Sequence, residues 1–265
     1  MVVSQSGETA DTIAAMKECK ARAPGCWPSS TWWGSTIAKL ADDVLYTWAG
    51  PEIAVATTKG YTTQVAVLDL LAVYLARRLG RLDDQRYRAL VKAIEQFPSL
   101  VQRAIDLNPN LPALAEKYHG YNDIFFLGRN LDYAASMEGS LKLKEISYLH
   151  SEAYAAGELK HGTIALIEKD RPVIALACYE RLFDKMMSNI KEVRPGAPRF
   201  LAVALEGNRQ IFAEADDVIF VPQTEPLFNT LPEVVPLQLF AYYVARANGC
   251  DIDKPKNLAK SVTVE

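Results

Sequence analysis

The sequence predicts an α/β protein built of two doubly wound modules with parallel sheets, the first of them incomplete. Short apolar runs alternate with amphipathic helical patterns along most of the chain, as in proteins with parallel sheets. A strand–loop–helix pattern restarts near Asp123, which indicates a second module. The chain also opens on three residues that resemble the end of a buried strand, so the first module is expected to lack its opening strands.

The first module is predicted to cover residues 1–107. A helix is expected from about 9 to 22, a short helix over 35–42, a strand over 43–47 and a loop over 50–58. A long helix then runs through 76, since its apolar residues recur with helical spacing: Val65, Leu68, Leu71, Ala72 and Leu75. Helices near 83–106 and 110–118 lead to the second module.

Residues 23–34 conflict with this pattern. An α/β module calls for a buried apolar strand there, but the stretch holds three tryptophans and two prolines, and Pro28 would interrupt a central ladder. Codons for these residues, read two nucleotides later, can encode an apolar strand. We therefore hypothesise a compensated double frameshift; the alternative is a genuine aromatic surface loop.

The second module is predicted to cover residues 108–250, followed by a tail, 251–265, that closes the active site. Strands are expected at 124–127, 172–177, 199–204 and 218–221. Helices are expected between them, with long ones at 131–149 and 231–247.

The bulk composition excludes several classes of protein. A net charge of −3 argues against a general nucleic-acid binder, which normally carries a basic excess. No apolar run reaches the length of a membrane span, and no signal pattern opens the chain, so neither membrane nor nucleic acid is expected as a partner. The four cysteines lack metal-ligand spacing, which indicates free thiols in a reducing cytoplasm and no bound metal.

The predicted helix at 131–149 and the residues just after it contain most of the candidate acid–base side chains. Glu138, Lys142 and Glu145 stand at i, i+4 and i+7, on one face of an otherwise apolar helix. His161, whose side chain titrates near neutral pH, follows sixteen residues after Glu145. A Glu/Lys stripe is more often a solvated helix face. Here apolar residues flank the stripe on every side, which favours the wall of a polar pocket.

A hydroxyl-rich loop, Ser4 to Thr9, joins the first strand to the first helix. Hydroxyls and backbone N–H groups at a helix N-terminus bind anions, and without a lysine or arginine they suit a sugar phosphate. Simple helix capping is the alternative. A second hydroxyl-rich loop, Val55 to Thr63, is a weaker signal of the same kind, and no dinucleotide or triphosphate glycine pattern occurs.

Several longer motifs resemble the glutamine–fructose-6-phosphate transaminases, also called glucosamine-6-phosphate synthases. They lie at 4–12, 56–64, 141–148, 152–162 and 257–265, and the likeness covers nearly the whole chain apart from 23–34. The family has an N-terminal glutaminase domain and an isomerase half of two sugar-isomerase (SIS) modules with flavodoxin-like sheets. This chain resembles only the isomerase half, without the opening of its first module.

The resemblance implies roles for single residues. Those expected to bind the substrate are Ser4, Gln5, Ser6 and Thr9 at the phosphate, and Val55, Thr57 and Ala259 at the sugar. Glu145 resembles the base that moves a proton between C1 and C2, and Lys142 steadies the enolate-like oxygen or tunes that carboxylate. Glu138 is expected to lie deeper and serve structure. His161 resembles the residue that opens the sugar ring, and Lys260 the lysine that forms a Schiff base.

The reaction implied is fructose 6-phosphate plus ammonia giving glucosamine 6-phosphate, without metal or organic cofactor. A homodimer is expected, with His161 reaching across the interface. The resemblance implies that this sequence lacks the glutaminase domain, and the isolated chain is predicted to be unstable or inactive because a half-built module exposes a sheet edge. Two alternatives stay open: a non-catalytic sugar-phosphate-binding SIS regulator, and another SIS phosphosugar isomerase or deglycase.

Overall fold

A computed structural model of the chain describes residues 1–22, 28–30 and 33–261, with backbone alone at 28–30. The chain divides into two compact units. One contains Met1–Tyr87 together with Asp253–Glu265, and the other contains Arg88–Ile252. The C-terminal tail thus belongs to the same unit as the N-terminal strands. The predicted module limits at 107 and 250 stay a prediction.

The first unit is built around a short parallel sheet. Its elements are β1 (Val2–Ser4), α1 (Ala10–Arg22), β2 (Pro28–Ser30), α2 (Thr36–Leu40), β3 (Leu45–Tyr46) and α3 (Lys59–Arg78). The strands lie in the order β1-β2-β3, and both pairs are parallel. Parallel strands separated by helices are what the sequence predicts for this part of the chain.

Residues 28–30 form β2, so part of the strand expected within residues 23–34 is present. Pro28 is the first residue of this strand, opposite Val2, and the strand is the central one of the three. The expectation that Pro28 interrupts a central ladder is therefore wrong, because a proline is tolerated at the first residue of a strand. Residues 23–27 and 31–32, on which the frameshift hypothesis also depends, lie outside the described residues.

The core of the first unit is small. Met16 of α1 and Ile37 of α2 are fully buried, and they pack with Val2, Ile13, Leu40 and Ala41. Large apolar side chains remain on its surface: Val3, Trp33, Leu45, Trp48 and Ile53. Trp48 is 77% exposed and stacks edge-on with Tyr46 and Trp33.

The second unit holds a five-stranded sheet with helices against it. Its helices are α4 (Asp84–Glu95, which begins in the first unit), α5 (Phe97–Asp106), α6 (Leu111–Ala115), α7 (Leu131–Ser147), α8 (Phe183–Val193) and α9 (Thr230–Ala247). Its strands are β4 (Asp123–Gly128), β5 (His150–Ala155), β6 (Val173–Ala177), β7 (Phe200–Leu205) and β8 (Asp217–Val221).

All strand pairs of this sheet are parallel, in the order β5-β4-β6-β7-β8. This is the flavodoxin-like order 2-1-3-4-5, in which the winding direction reverses between the first and third strands. The predicted fold class, α/β with a doubly wound parallel sheet, is confirmed.

Both faces of the sheet are covered, which explains why its inner strands β4, β6 and β7 are continuous apolar runs. Phe125 and Leu127 of β4 join a core with Met186 and Ile190 of α8. The intervening Phe126 points to the opposite face, where α7 lies so close that a Cβ at Gly139 would come within 3.1 Å of its ring. That face of α7 also packs against α9.

None of the helices in the described parts of the chain is long and apolar enough to cross a bilayer.

Candidate functional site

The Ser4–Thr9 loop lies where the sequence places it, between β1 and α1. Ser4 Oγ accepts the Gly7 N–H at 2.9 Å, and Ser6 Oγ accepts the Glu8 N–H at 3.2 Å. Gly7 has a φ of +68°, a conformation that glycine adopts without strain. Because each hydroxyl uses only its oxygen in these bonds, its own O–H can still donate to an anion.

Glu8 ties this loop to the following helix. Its Oε1 accepts the Thr36 N–H at 2.7 Å, at the start of α2. Hydrogen bonds from the Thr36 side chain and backbone hold the pKa of Glu8 below its usual value. The loop is therefore fixed at both ends, by the strand on one side and by α2 on the other.

The loop that carries Val55 and Thr57 lies beside the Ser4–Thr9 loop. The contact is seen at Gly60, the second residue of α3, where a Cβ would come within 2.9 Å of Thr57 Cγ2 and 3.3 Å of Gln5 Cγ. Only a glycine allows so close an approach. The structure thus brings Gln5 and Thr57, two predicted substrate-binding residues, to one place in the first unit.

Lys260 of the C-terminal tail reaches the same loop. Its Nζ donates to Ala54 O at 2.8 Å and lies 3.5 Å from Thr57 Oγ1. It also forms an ion pair with Glu52 Oε2 at 2.7 Å. The backbone of the tail is attached as well, since the Val55 N–H donates to Asp253 O at 2.9 Å. Ala259, the neighbour of Lys260, is exposed.

Glu52 was not predicted from the sequence. Its side chain is only 6% exposed, and Oε1 accepts the Thr58 N–H at 2.8 Å and the Gly60 N–H at 3.4 Å. Burial raises the pKa of Glu52, but hydrogen bonds from Lys260 and Thr58 outweigh it, so the net pKa is lowered. Glu52 is therefore a buried carboxylate, and each of its oxygens accepts at least one hydrogen bond. No short sequence motif predicts this arrangement.

The second group of site residues lies on α7, in the second unit. Lys142 is 3% exposed and lies between two carboxylates, one turn away on either side. Its Nζ is 3.6 Å from Glu138 Oε1 and forms a closer ion pair with Glu145. The structure thus brings together the three residues whose helical spacing predicted a shared face.

The two carboxylates of this cluster differ in burial. The Glu138 side chain is 9% exposed and that of Glu145 is 23% exposed. Burial, helped by the charge of Glu145, raises the pKa of Glu138 to about 7 against the lowering effect of Lys142. Glu138 is the deeper residue, whereas Glu145 is partly exposed to solvent.

His161 is exposed at the end of a 3₁₀ turn, Leu159–His161, that follows β5. Its N–H donates to Glu158 O at 3.0 Å, which closes the turn. Among the described residues, no cluster of three or more His, Cys, Asp or Glu side chains is arranged to hold a metal ion.

A further pair of buried carboxyl groups, which the sequence analysis did not predict, connects α7 and α9. Asp132 and Glu233 are 2% and 0% exposed, and their carboxyl groups interact with each other. Asp132 Oδ2 also accepts the N–H groups of Cys178 and Tyr179, at 2.9 and 3.1 Å, just beyond β6. Burial raises the pKa of Asp132 to about 6, and burial together with the Asp132 charge raises that of Glu233 well above normal.

Comparison with known proteins identifies the family. The SIS domain family matches residues 1–74 and 117–246. The C-terminal domain of glucosamine-fructose-6-phosphate aminotransferase from Francisella tularensis superposes with a TM-score of 0.90 and 33% identity, over 96% of this chain and 72% of that one. The chain belongs to the SIS domain family, in the branch of the glutamine–fructose-6-phosphate aminotransferases.

Curated relatives lead to the same branch. The isomerizing glutamine–fructose-6-phosphate aminotransferase of Clostridium tetani is 51% identical over all 265 residues of this SIS-domain chain. The chain spans 44% of the length of that relative. A tagatose-6-phosphate ketose/aldose isomerase from Escherichia coli, 17% identical with a TM-score of 0.73, shares the SIS fold.

Proposed function

We propose that the chain carries the sugar-isomerising site of a glutamine–fructose-6-phosphate aminotransferase. The substrate is fructose 6-phosphate, the nitrogen donor is ammonia, and the product is glucosamine 6-phosphate. The observation that carries this proposal is the buried Glu138–Lys142–Glu145 cluster. A solvated Glu/Lys stripe would leave Lys142 in water, but Lys142 is 3% exposed between two carboxylates.

The phosphate group is assigned to the Ser4–Thr9 loop. Ser4, Gln5, Ser6 and Thr9 offer hydroxyl, amide and backbone donors where β1 ends and α1 begins, and both the helix dipole and unpaired N–H groups favour an anion there. Val55, Thr57 and Ala259 are assigned to the sugar. The approach of Gln5 to Thr57 at Gly60 supports one binding region for both parts of the substrate.

Proton transfer is assigned to Glu145. It is the more exposed carboxylate of its cluster, so it can reach the C1 and C2 carbons of a sugar. Lys142 holds it in place and offsets the negative charge that develops on the enolate-like oxygen. Positioned proton transfer of this kind is typically worth on the order of 10²–10⁴ in rate.

Two further roles complete the proposal. Lys260 forms an imine with the open-chain ketose, which makes the C1 proton easier to remove. His161 opens the sugar ring, and its exposed position suits a residue that acts on the site of a second copy of the chain. We therefore propose a homodimer, located in the cytoplasm, with a glutaminase part that supplies the ammonia.

A regulator that binds sugar phosphates without catalysis is the alternative from another class. Such a protein needs the Ser4–Thr9 loop but has no use for a buried Lys–Glu pair, a tethered Lys260 and His161. A different SIS isomerase or deglycase is the other alternative. The identity to aminotransferases of 46–51% over the whole chain favours the aminotransferase reaction over it.

The test is a chimera in which the remaining part of the Clostridium tetani relative is joined ahead of residue 1. We expect it to form glucosamine 6-phosphate from fructose 6-phosphate and ammonium, measured by acetylation of the product and mass spectrometry. A folded chimera that binds fructose 6-phosphate and forms no product favours the regulator. Conversion of fructose 6-phosphate to glucose 6-phosphate alone favours another isomerase.

A further inference from the structure

Glu52 occupies a position that neither the proposed reaction nor the sequence motifs explain. It follows Pro51 in the loop before α3, its side chain is 6% exposed, and its two oxygens face different elements. Oε1 accepts hydrogen bonds from the backbone N–H groups of Thr58 and Gly60 at the start of α3. Oε2 accepts a hydrogen bond from the ammonium of Lys260, which lies 208 residues further along the chain.

The pair is stronger than an ordinary surface ion pair. A carboxylate whose other oxygen is fixed by two backbone N–H groups loses little further freedom when it pairs with an ammonium, and burial reduces screening by solvent. Lys260 gains two more fixed contacts, to Ala54 O and Thr57 Oγ1. The tail residue is therefore held at the loop that carries Val55 and Thr57.

We propose that Glu52 is a positioning residue for Lys260, holding its amine as a paired ammonium beside Thr57 until a carbonyl substrate arrives. This role rests on the proposed function of Lys260. When the ketose binds, Nζ gives up one proton to solvent and leaves Glu52. The neutral nitrogen bonds to the carbonyl carbon, and its two remaining protons leave with the carbonyl oxygen as one water molecule.

The geometry makes E52Q an informative variant. The amide oxygen of glutamine can still accept from Thr58 and Gly60, so the start of α3 keeps its hydrogen bonds. The amide nitrogen cannot accept from Lys260, so the ion pair alone is lost. E52D keeps the charge, and E18Q is the matched control, because Glu18 forms an exposed ion pair with Arg22 in the same unit.

The experiment is reductive methylation of the full chain with formaldehyde and cyanoborohydride, followed by peptide mapping. It measures imine formation at each lysine without any need for sugar binding. Since loss of the ion pair frees Nζ from Glu52, E52Q should raise the rate at Lys260 about tenfold relative to Lys59. E52D should fall between E52Q and wild type, and E18Q should match wild type.

A second measurement separates positioning from a merely structural role. Hydrogen exchange at the Thr58 and Gly60 amides should be unchanged in E52Q, whereas a loosened loop would accelerate it. An unchanged methylation rate at Lys260 in E52Q, or a faster one accompanied by faster exchange at these amides, would overturn the proposal.

Fructose 6-phosphate in place of formaldehyde tests the proposed function separately. Wild type should form the reduced sugar adduct at Lys260. We expect E52Q to lower its saturating rate while the sugar concentration at half-saturation stays the same, because the phosphate loop is untouched. Absence of the adduct in wild type counts against the role of Lys260 in the reaction, while the formaldehyde result still decides whether Glu52 holds the amine.

Discussion

At the scale of single residues, Lys142 is the position where structure and chemistry are most closely coupled. It is buried, it neutralises two carboxylates of its own helix, and both carboxylates lie within one turn. An ammonium removed from water is stabilised only if such partners are present. The same ion pairs that make burial tolerable also fix Glu145 in one orientation.

Replacing Lys142 by methionine should therefore destabilise the second unit. The change leaves Glu138 and Glu145 as two buried or half-buried carboxylates without a cation, and breaking such a pair typically costs about 3–5 kcal/mol. We expect this loss in the free energy of unfolding at pH 8, measured by urea denaturation followed by circular dichroism. K144M is the matched control, since Lys144 is exposed on the same helix; equal stability of K142M and wild type would contradict the account.

Residue patterns predicted this cluster well but missed Glu52. The spacing i, i+4, i+7 is local, so the sequence contains the geometry of Glu138, Lys142 and Glu145 once the helix is known. The partner of Glu52 lies 208 residues further along the chain. A contact between residues so far apart leaves no periodic pattern in the local sequence. In the sequence, an acidic residue between Pro51 and the apolar Ile53 is only a weak signal.

At the scale of secondary-structure elements, α7 and α9 are joined by two carboxyl groups rather than by apolar contacts alone. Asp132 lies in the first turn of α7 and Glu233 in the first turn of α9, and both are buried. Burial raises the pKa of each carboxyl, and the pair repels when both are ionised. The attachment of the two helices is consequently sensitive to pH.

The sign of this dependence follows from proton linkage. A carboxyl whose pKa is raised on folding stabilises the folded state fully below its unfolded pKa, near 4, and loses that contribution as pH rises through the raised value. The free energy of unfolding of the second unit should thus fall between pH 5 and pH 8. E233Q removes one charge, so it should be about 1–3 kcal/mol more stable than wild type at pH 8.

At pH 5 the difference between E233Q and wild type should shrink, since the pair then carries fewer charges. Urea denaturation at both pH values measures this, and E116Q, at an exposed position of the same unit, serves as control. A wild-type stability that does not change between pH 5 and pH 8, or an E233Q that is less stable than wild type at pH 8, would contradict the interpretation that ionisation of this buried pair destabilises the second unit.

Most elements were predictable because their patterns are local, and β5 shows where this fails. The strand reads His-Ser-Glu-Ala-Tyr-Ala, without an apolar run, and was not predicted. It lies at the edge of the sheet, paired only with β4 in the described structure, so its sequence need not be apolar on both faces. Its parallel register with β4, from Asp123 opposite His150 to Gly128 opposite Ala155, is a tertiary property.

At the scale of the whole molecule, the two units differ in the length of the strands in their sheets. The sheet of the first unit has strands of three, three and two residues, whereas that of the second has strands of five and six. Leu45 and Trp48 are exposed in the first unit, and β1 forms an edge of its sheet. An exposed strand edge beside apolar side chains favours association with other chains, so a monodisperse, cooperatively unfolding sample is required before activity is measured.

The sequence alone identified the family, the fold class and the residues on α7, because long motifs and helical spacing carry that information. It could not show that Lys260 is tethered by Glu52, or that Gly60 brings Gln5 and Thr57 together, because both depend on tertiary contacts.

We propose above that Glu145 moves the proton between C1 and C2 of fructose 6-phosphate. The most direct test of this proposal is the incorporation of solvent deuterium at C1 of the sugar by the chimera, followed by NMR in D₂O without ammonium. We expect E145Q to lower the incorporation by about 10²–10⁴, and E206Q, which breaks the exposed ion pair with Arg103, to leave it unchanged. Equal incorporation by a folded E145Q chimera would contradict it.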